Sequence, residues 1–350
     1  MPSTLKSSLK VSLISLILIF SLVEVSHAHY HRSYYHDNRV MTHNPRWMTR
    51  LKDDVLLSEL SLPGTHDTMA FFGGHAVETQ TLRLPGQLEA GIRVLDIRCR
   101  HMYDEFRIYH GHVSQRRLFN EVLDMVIAFL GQNPGETVLM RVKEEHNPSG
   151  TTRPFQETFR LRYWEDDKYN KWMFQGKPNV NPPLSLLRGK IVVLQDFDRD
   201  NQKYGIPYNS FTIEDTFKLG SNWDLYGKWL KVQAHLGLAD RGGRETKYMN
   251  YLSAGGGSFP YFVVSGHSNP ATGAPRLATG RTTPAFRNTW PDFPRVNCFI
   301  GICTIAFEGT NVLTSNRLGN YKNRVGTIMT DFPGPLLIEQ IIAINNKFRK

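Results

Sequence analysis

Gly91-Ile92-Arg93-Val94-Leu95-Asp96-Ile97-Arg98 is the stretch whose reading decides the fold. Residues 92–97 are rich in β-branched and apolar side chains and follow a glycine, which predicts a buried strand. Side chains alternate faces along a strand, so Asp96 and Arg98 share a face with Val94. A charged pair directed inward is costly unless it is paired or used. The strand is therefore read both as core and as the support of a functional site.

Working outward, strands are predicted at 56–62, ending at Pro63-Gly64, and at 106–109, 138–142, 191–194, 248–252 and 325–329. Between them fall helical patterns. Phe119, Val122, Leu123, Val126, Ile127 and Leu130 repeat at helical spacing and stop at Gly131. Residues 155–163 and 223–236 read as helix, and Leu337, Ile338, Ile341 and Ile342 mark a last amphipathic one. Strands alternating with helices imply parallel sheet. So many units favour an α/β fold of the distorted (β/α)8 TIM-barrel type over a doubly wound sheet, and no dinucleotide fingerprint follows the first strand. The barrel is expected as a single domain over residues 49–350. Residues 267–324, rich in Pro, Gly, Thr and Asn, are expected to be a long loop excursion.

The termini and composition bound the setting. The chain has 350 residues and 40% hydrophobic content, which excludes wholesale disorder. Three cysteines exclude a disulfide-stapled mini-fold. Lys6 and Lys10 precede an apolar run over 11–25, and Ser26-His27-Ala28 offers small residues at the positions a signal peptidase reads. Residues 1–28 are read as a secretory signal cleaved near Ala28. The rival is a membrane anchor, but the run is shorter than the ~20 residues of a spanning helix. The mature chain is expected to be secreted and monomeric, with its net charge reduced from +10 to +9. Residues 29–48, with His29, His31, His36 and His43, read as a polar solvated leader, the alternative being a metal-binding tail. Cys298 and Cys303 lie five positions apart and can close a small loop; Cys99 is expected as a buried free thiol. The charge admits nucleic acid, a phosphate-bearing substrate or an acidic membrane face, and motifs must choose among them.

Barrel enzymes carry their chemistry at the C-terminal ends of strands. Here those ends lead into Thr65-His66-Asp67, Asp96-Ile97-Arg98, Tyr109-His110-Gly111 and Thr330-Asp331. One neutral histidine can take a proton from an attacking hydroxyl while a second, protonated, gives one to the leaving oxygen. A carboxylate on each imidazole fixes its tautomer. Arg98 offers a planar fork of donors to a phosphate oxygen. The set suggests phosphodiester cleavage.

The runs over 60–68 (Leu-Ser-Leu-Pro-Gly-Thr-His-Asp-Thr), 91–98, Tyr109-His110-Gly111 and Asn133-Pro134-Gly135-Glu136-Thr137-Val138 resemble, in order and spacing, the catalytic X domain of the phosphatidylinositol-specific phospholipase C family. Weaker likeness continues at 188–194, 213–215, 252–256 and 324–326. The resemblance implies a distorted barrel and a set of roles. His66 would be the general base for the inositol 2-hydroxyl, oriented by Asp331. His110 would be the general acid, with Asp67 as its carboxylate, and Arg98, held by Asp96, would neutralise the phosphorane. Lys143, Asp215 and Phe217 would bind the headgroup. Products would be diacylglycerol and inositol 1,2-cyclic phosphate, with a phosphatidylinositol-containing membrane surface as partner and nucleic acid excluded.

Arg98 stands where calcium-dependent relatives carry a metal ligand, so the chain resembles the metal-independent bacterial-type secreted group. No metal and no cofactor are implied. Two positions depart from that group. Asp196 replaces an arginine, and Phe217 a tyrosine lying against the sugar. Lys143 is alternatively a surface lysine, and His75 and His112 are read as non-catalytic. Two other readings stand beside this one. One is a metal-dependent glycerophosphodiesterase or sphingomyelinase-D-like lipase. The other is a secreted phosphoinositide- or glycan-binding protein without turnover. Aromatic Trp290, Phe286 and Phe293, with Arg281, Arg287 and Arg295, are candidates for membrane contact, the alternative being that they pack within the excursion.

Overall fold

A computed structural model of the chain describes residues 31–176, 181–198, 203–272 and 274–350. The proposed signal segment lies outside them, and among the described residues no helix is long and apolar enough to cross a membrane.

Eight parallel strands form the barrel wall. In chain order they are β1 (Leu62–Thr65), β2 (Val94–Met102), β5 (Val138–Glu144), β6 (Ile191–Asp196), β7 (Ile206–Pro207), β8 (Thr212–Glu214), β10 (Tyr248–Tyr251) and β15 (Thr327–Thr330). Around the wall they run β7-β6-β5-β2-β1-β15-β10-β8. No ladder joins β7 to β8 among the described residues, so the barrel is open there, next to short strands. Helices α1 (Leu84–Ala90), α2 (Phe119–Gln132), α3 (Phe155–Phe159), α4 (Leu184–Leu187), α5 (Leu225–Arg241), α6 (Pro260–Ser265), α7 (Thr310–Arg317) and α8 (Pro335–Ala343) connect and cover the strands. This is the expected distorted (β/α) barrel. Val94, Leu139, Val192 and Ile328 are buried in its wall, and Val122, Leu123 and Val126 of α2 face it, as their helical spacing requires.

Four local expectations change. The first strand begins later than expected, at Leu62, and runs through Pro63-Gly64, while residues 57–59 form a 3-10 turn. Proline is tolerated because pairing with β2 starts only at Gly64↔Val94, so no ladder needs a donor at Pro63. A side chain at Gly64 would strike Met329, which explains the glycine. Second, β3 (Glu105–His110) is not a barrel strand. It folds back antiparallel on β2 and pairs with β4 (Val113–Leu118), so His110 reaches the mouth from a hairpin.

Third, residues 31–48 are no solvated leader. Tyr34, Tyr35, Trp47 and Met48 are buried, and the Tyr35 amide donates to the Phe332 carbonyl at 2.9 Å. The Tyr34 ring meets Tyr261 edge-on and His36 lies against Phe332. The arm thus supports the loop that follows Asp331. Its other end is fixed by Glu136, which accepts from the amides of Met48 and Thr49 and from buried Arg93 through Nε at 3.0 Å and Nη2 at 2.8 Å. Removing one partner of a fully buried pair leaves an uncompensated charge. Glu136→Ala should therefore lower unfolding free energy by about 3–5 kcal/mol in urea melts. A loss within error would show that Arg93 finds other compensation.

Fourth, the expected loop excursion is structured. It carries an antiparallel sheet of β12 (Ala278–Arg281), β13 (Arg295–Phe299) and β14 (Ile302–Ala306), then α7. Cys298 and Cys303 are bonded, and Cys99 is buried, burial pushing its thiol well up. Elsewhere β9 (Lys218–Leu219) and β11 (Gly255–Gly256) form a small parallel pair.

Candidate active site

The strand register assembles the site. β1 ends at Thr65 beside Thr330 of β15, so His66 and Asp331 leave adjacent strands side by side. Gln80 ties the two ends together, its amide nitrogen donating to the carbonyls of His66 and Thr330. On the other side of β1, Asp96 of β2 is in register with Arg141 of β5, and Arg98 with Lys143, which in turn faces Asp196 of β6. Two adjacent rows of charged residues therefore lie at the mouth, Asp96–Arg141 and Arg98–Lys143–Asp196.

His66 Nδ1 lies 2.8 Å from Asp331 Oδ1, and its Nε2 lies 2.7 Å from Arg98 Nη2. The pattern fits one tautomer, in which Nδ1–H donates to Asp331 and Nε2 is the basic nitrogen. Burial disfavours the charged ring, but Asp331 outweighs it and raises the His66 pKa above the ordinary 6.5. The residue is thus held as a stronger base than a free histidine.

Arg98 is the hub. Its Nε and Nη2 bond Asp96 Oδ2 at 3.2 and 3.1 Å, and Nη1 lies 3.3 Å from Asp67 Oδ2. Burial opposes its charge, but Asp67 and Asp96 prevail and raise the pKa, so the guanidinium is always charged. Asp96, fully buried, also accepts from Arg141 Nη1 at 3.2 Å and from the Asp67 amide at 3.0 Å. Burial would raise its carboxyl, but Arg98 and Arg141 hold it well below the usual carboxylate range. Asp67 is less compensated. Burial raises its carboxyl against the pull of Arg98 and His110, so it takes up a proton before Asp96 does. Its backbone is left-handed (φ 42°), a conformation costing about 1–3 kcal/mol in a non-glycine residue. That turn aims its amide at Asp96.

His110 Nδ1 is shared between the Val77 carbonyl at 2.8 Å and Asp67 Oδ2 at 3.2 Å. Both partners accept, so Nδ1 carries the proton and Nε2 is the nitrogen available for transfer. The six residues expected to carry catalysis therefore converge in one cluster.

Of the residues expected to bind the headgroup, Lys143 pairs with Glu145 at 3.1 Å and joins the cluster. Asp215 and Phe217 stand exposed just past the end of β8, and Asp215 makes no side-chain hydrogen bond to the cluster among the described residues. Asp196 accepts from Arg141 Nε and Nη2 at 2.9 and 2.7 Å, so its charge is matched within the protein. His112 meets His146 edge-on rather than joining the cluster.

Two contributors were missed in the sequence. Arg141 bridges Asp96 and Asp196. Glu145 accepts from the Gly111 amide at 2.9 Å and from Lys143, and lies 3.9 Å from Arg98. Burial would raise the Glu145 carboxyl, but Arg98 and Lys143 lower it. Alternation from Lys143 places both on its face, so strand period alone was the signal.

Residues 64–196 match the family model described as the phosphatidylinositol-specific phospholipase C X domain. Its relatives narrow the picture. A 1-phosphatidylinositol phosphodiesterase of Listeria monocytogenes is 34% identical over 202 residues, which cover 49% of this chain and 61% of that protein. This match spans less than two thirds of the Listeria protein. One from Staphylococcus aureus is 26% identical across 83% of this chain and 96% of its own length. Among solved structures, the phosphatidylinositol-specific phospholipase C of Listeria monocytogenes superposes with TM-score 0.62 at 24% identity, over 88% of this chain and all of that one. A point mutant of the Staphylococcus aureus enzyme gives 0.64 at 21% identity, over 88% of this chain and 98% of that one. These superpositions fix the fold.

Proposed function

We propose that this chain is a phosphatidylinositol-specific phospholipase C that cleaves phosphatidylinositol to diacylglycerol and inositol 1,2-cyclic phosphate without calcium. The observation that carries the reading is the chain Asp331–His66–Arg98, in which a basic nitrogen and a permanent cation stand 2.7 Å apart. The inositol 2-hydroxyl replaces Arg98 as the partner of His66 Nε2 and gives up its proton there. Its oxygen attacks the adjacent phosphorus, while Arg98 takes the charge growing on the phosphoryl oxygen. Protonated His110 donates from Nε2 to the diacylglycerol oxygen, and Asp67 steadies that cation. Nucleophile and phosphate belong to one molecule, so orientation supplies much of the rate.

Calcium independence rests on Arg98. A guanidinium fills the place between Asp67 and Asp96 where a divalent ion would otherwise gather carboxylates. The relatives' names concern phosphatidylinositol, which favours this reading over choline-headgroup or glycerophosphodiester substrates. Phosphorus NMR of phosphatidylinositol incubated with the protein and a chelator should reveal a cyclic phosphate. A product that is only the open monophosphate from the start, or activity abolished by chelation, would refute it. Secretion is proposed with it, supported by the leader sequence and by the Cys298–Cys303 bond, which suits an oxidising compartment.

A further inference from the structure

The hairpin joining β13 to β14 carries Phe299-Ile300-Gly301-Ile302 at its tip. Phe299 is 75% exposed, Ile300 84% and Ile302 48%. Phe299 pairs with Ile302, so Ile300 and Gly301 form a two-residue loop, and both have positive φ, 48° and 76°. That turn favours Asn-Gly or Asp-Gly, because a β-branched residue is strained there. Here an isoleucine holds the position while making almost no protein contact. Neither turn preference nor core packing accounts for it, and the Cys298–Cys303 bond keeps the tip closed directly beneath. A strained, exposed apolar cluster on a clamped support has the form of a contact surface.

Its surroundings select the occupant. From residue 268 to 307 the only acidic residue is Asp292, which is bonded to Arg317, Trp229 and Tyr226. Arg281 on the neighbouring β12 and Arg287 are exposed. The sheet is rooted at the catalytic mouth. β14 leads into α7, where Thr310 Oγ1 donates to the Leu252 carbonyl at the end of β10, and the Asn311 side-chain amide donates to the Asp331 carbonyl. Trp223, packed on Trp290, and Phe217 are also exposed. Apolar tip and unopposed arginines complement an anionic lipid interface, with acyl chains below the headgroups and negative charge above. Of the aromatic candidates for this contact, Phe286 is exposed, whereas Phe293 is buried and Trp290 is partly covered, as the packing alternative has it.

We propose that the 299–302 tip is an interfacial anchor that inserts into anionic bilayers and holds the mouth against them. The proposal deepens the lipase reading and rests on it for its purpose, but not for its test. The double variant Phe299→Ser/Ile300→Ser should bind phosphatidylcholine vesicles containing phosphatidylserine at least ~tenfold more weakly in sedimentation assays, since two apolar side chains no longer leave water. Arg281→Glu should weaken binding to these vesicles while leaving binding to pure phosphatidylcholine unchanged. Hydrolysis of water-soluble dibutyroyl phosphatidylinositol by the double variant should match the wild type. Unchanged vesicle binding would overturn the anchor, as would a wild-type dimer in sedimentation velocity that the double variant dissolves. A wild type that binds vesicles but leaves the soluble substrate intact would refute the lipase reading and leave the anchor standing.

Discussion

His66→Ala is expected to lower kcat/KM toward phosphatidylinositol by about three orders of magnitude, within the range that removal of a positioned general base produces. No other imidazole takes its place, since His110 is turned to Val77 and Asp67 by its own Nδ1. A companion measurement separates base from scaffold. The base acts only when unprotonated, and its pKa is raised. The acid limb of the wild-type pH–rate profile should therefore lie above pH 6.5, with activity rising as pH increases through it. Asp331→Asn removes the charge that raises the pKa, so the limb should move to lower pH while the maximal rate falls. An acid limb that stays in place in Asp331→Asn would assign that titration to another group.

How much of this was legible follows the physics of each part. Asp96 and Arg98 were readable because alternation on a single buried strand fixes their common side. His66 and Asp331 were readable as residues just past strand ends, though that they sit on adjacent strands is a fact of barrel order, which no local pattern encodes. Arg141 lay within reach of the same alternation, yet an arginine on a buried strand has no local mark that distinguishes a bridge between two carboxylates from a strand-end surface residue. The arm at 31–48 was misread because tyrosine and histidine count as polar in composition. Tyr34 and His36 instead bury ring faces against Tyr261 and Phe332, partners more than two hundred residues away. The excursion hid its sheet behind Pro, Gly and Thr, and only cross-strand pairing and the disulfide organise it.

Arg98→Lys should keep the fold and lose about 10²–10³ in kcat. Both side chains are cationic, so the comparison isolates geometry from charge. The guanidinium meets Asp96 through Nε and Nη2, Asp67 through Nη1 and His66 through Nη2. One ammonium can keep a carboxylate but cannot span Asp67, Asp96 and His66 together. Left without its share of that contact, Asp67 would hold its proton more readily, because burial already raises its carboxyl and Arg98 is the first charge opposing it. A protonated Asp67 no longer steadies a charged His110, so the general acid is weakened along with the phosphate clamp. Asp96 retains Arg141, so the β2–β5 wall should stand, and urea melts should change much less than turnover does. Wild-type turnover in Arg98→Lys would mean that a point charge suffices, and that the fork's contacts with Asp67, Asp96 and His66 only hold the mouth together.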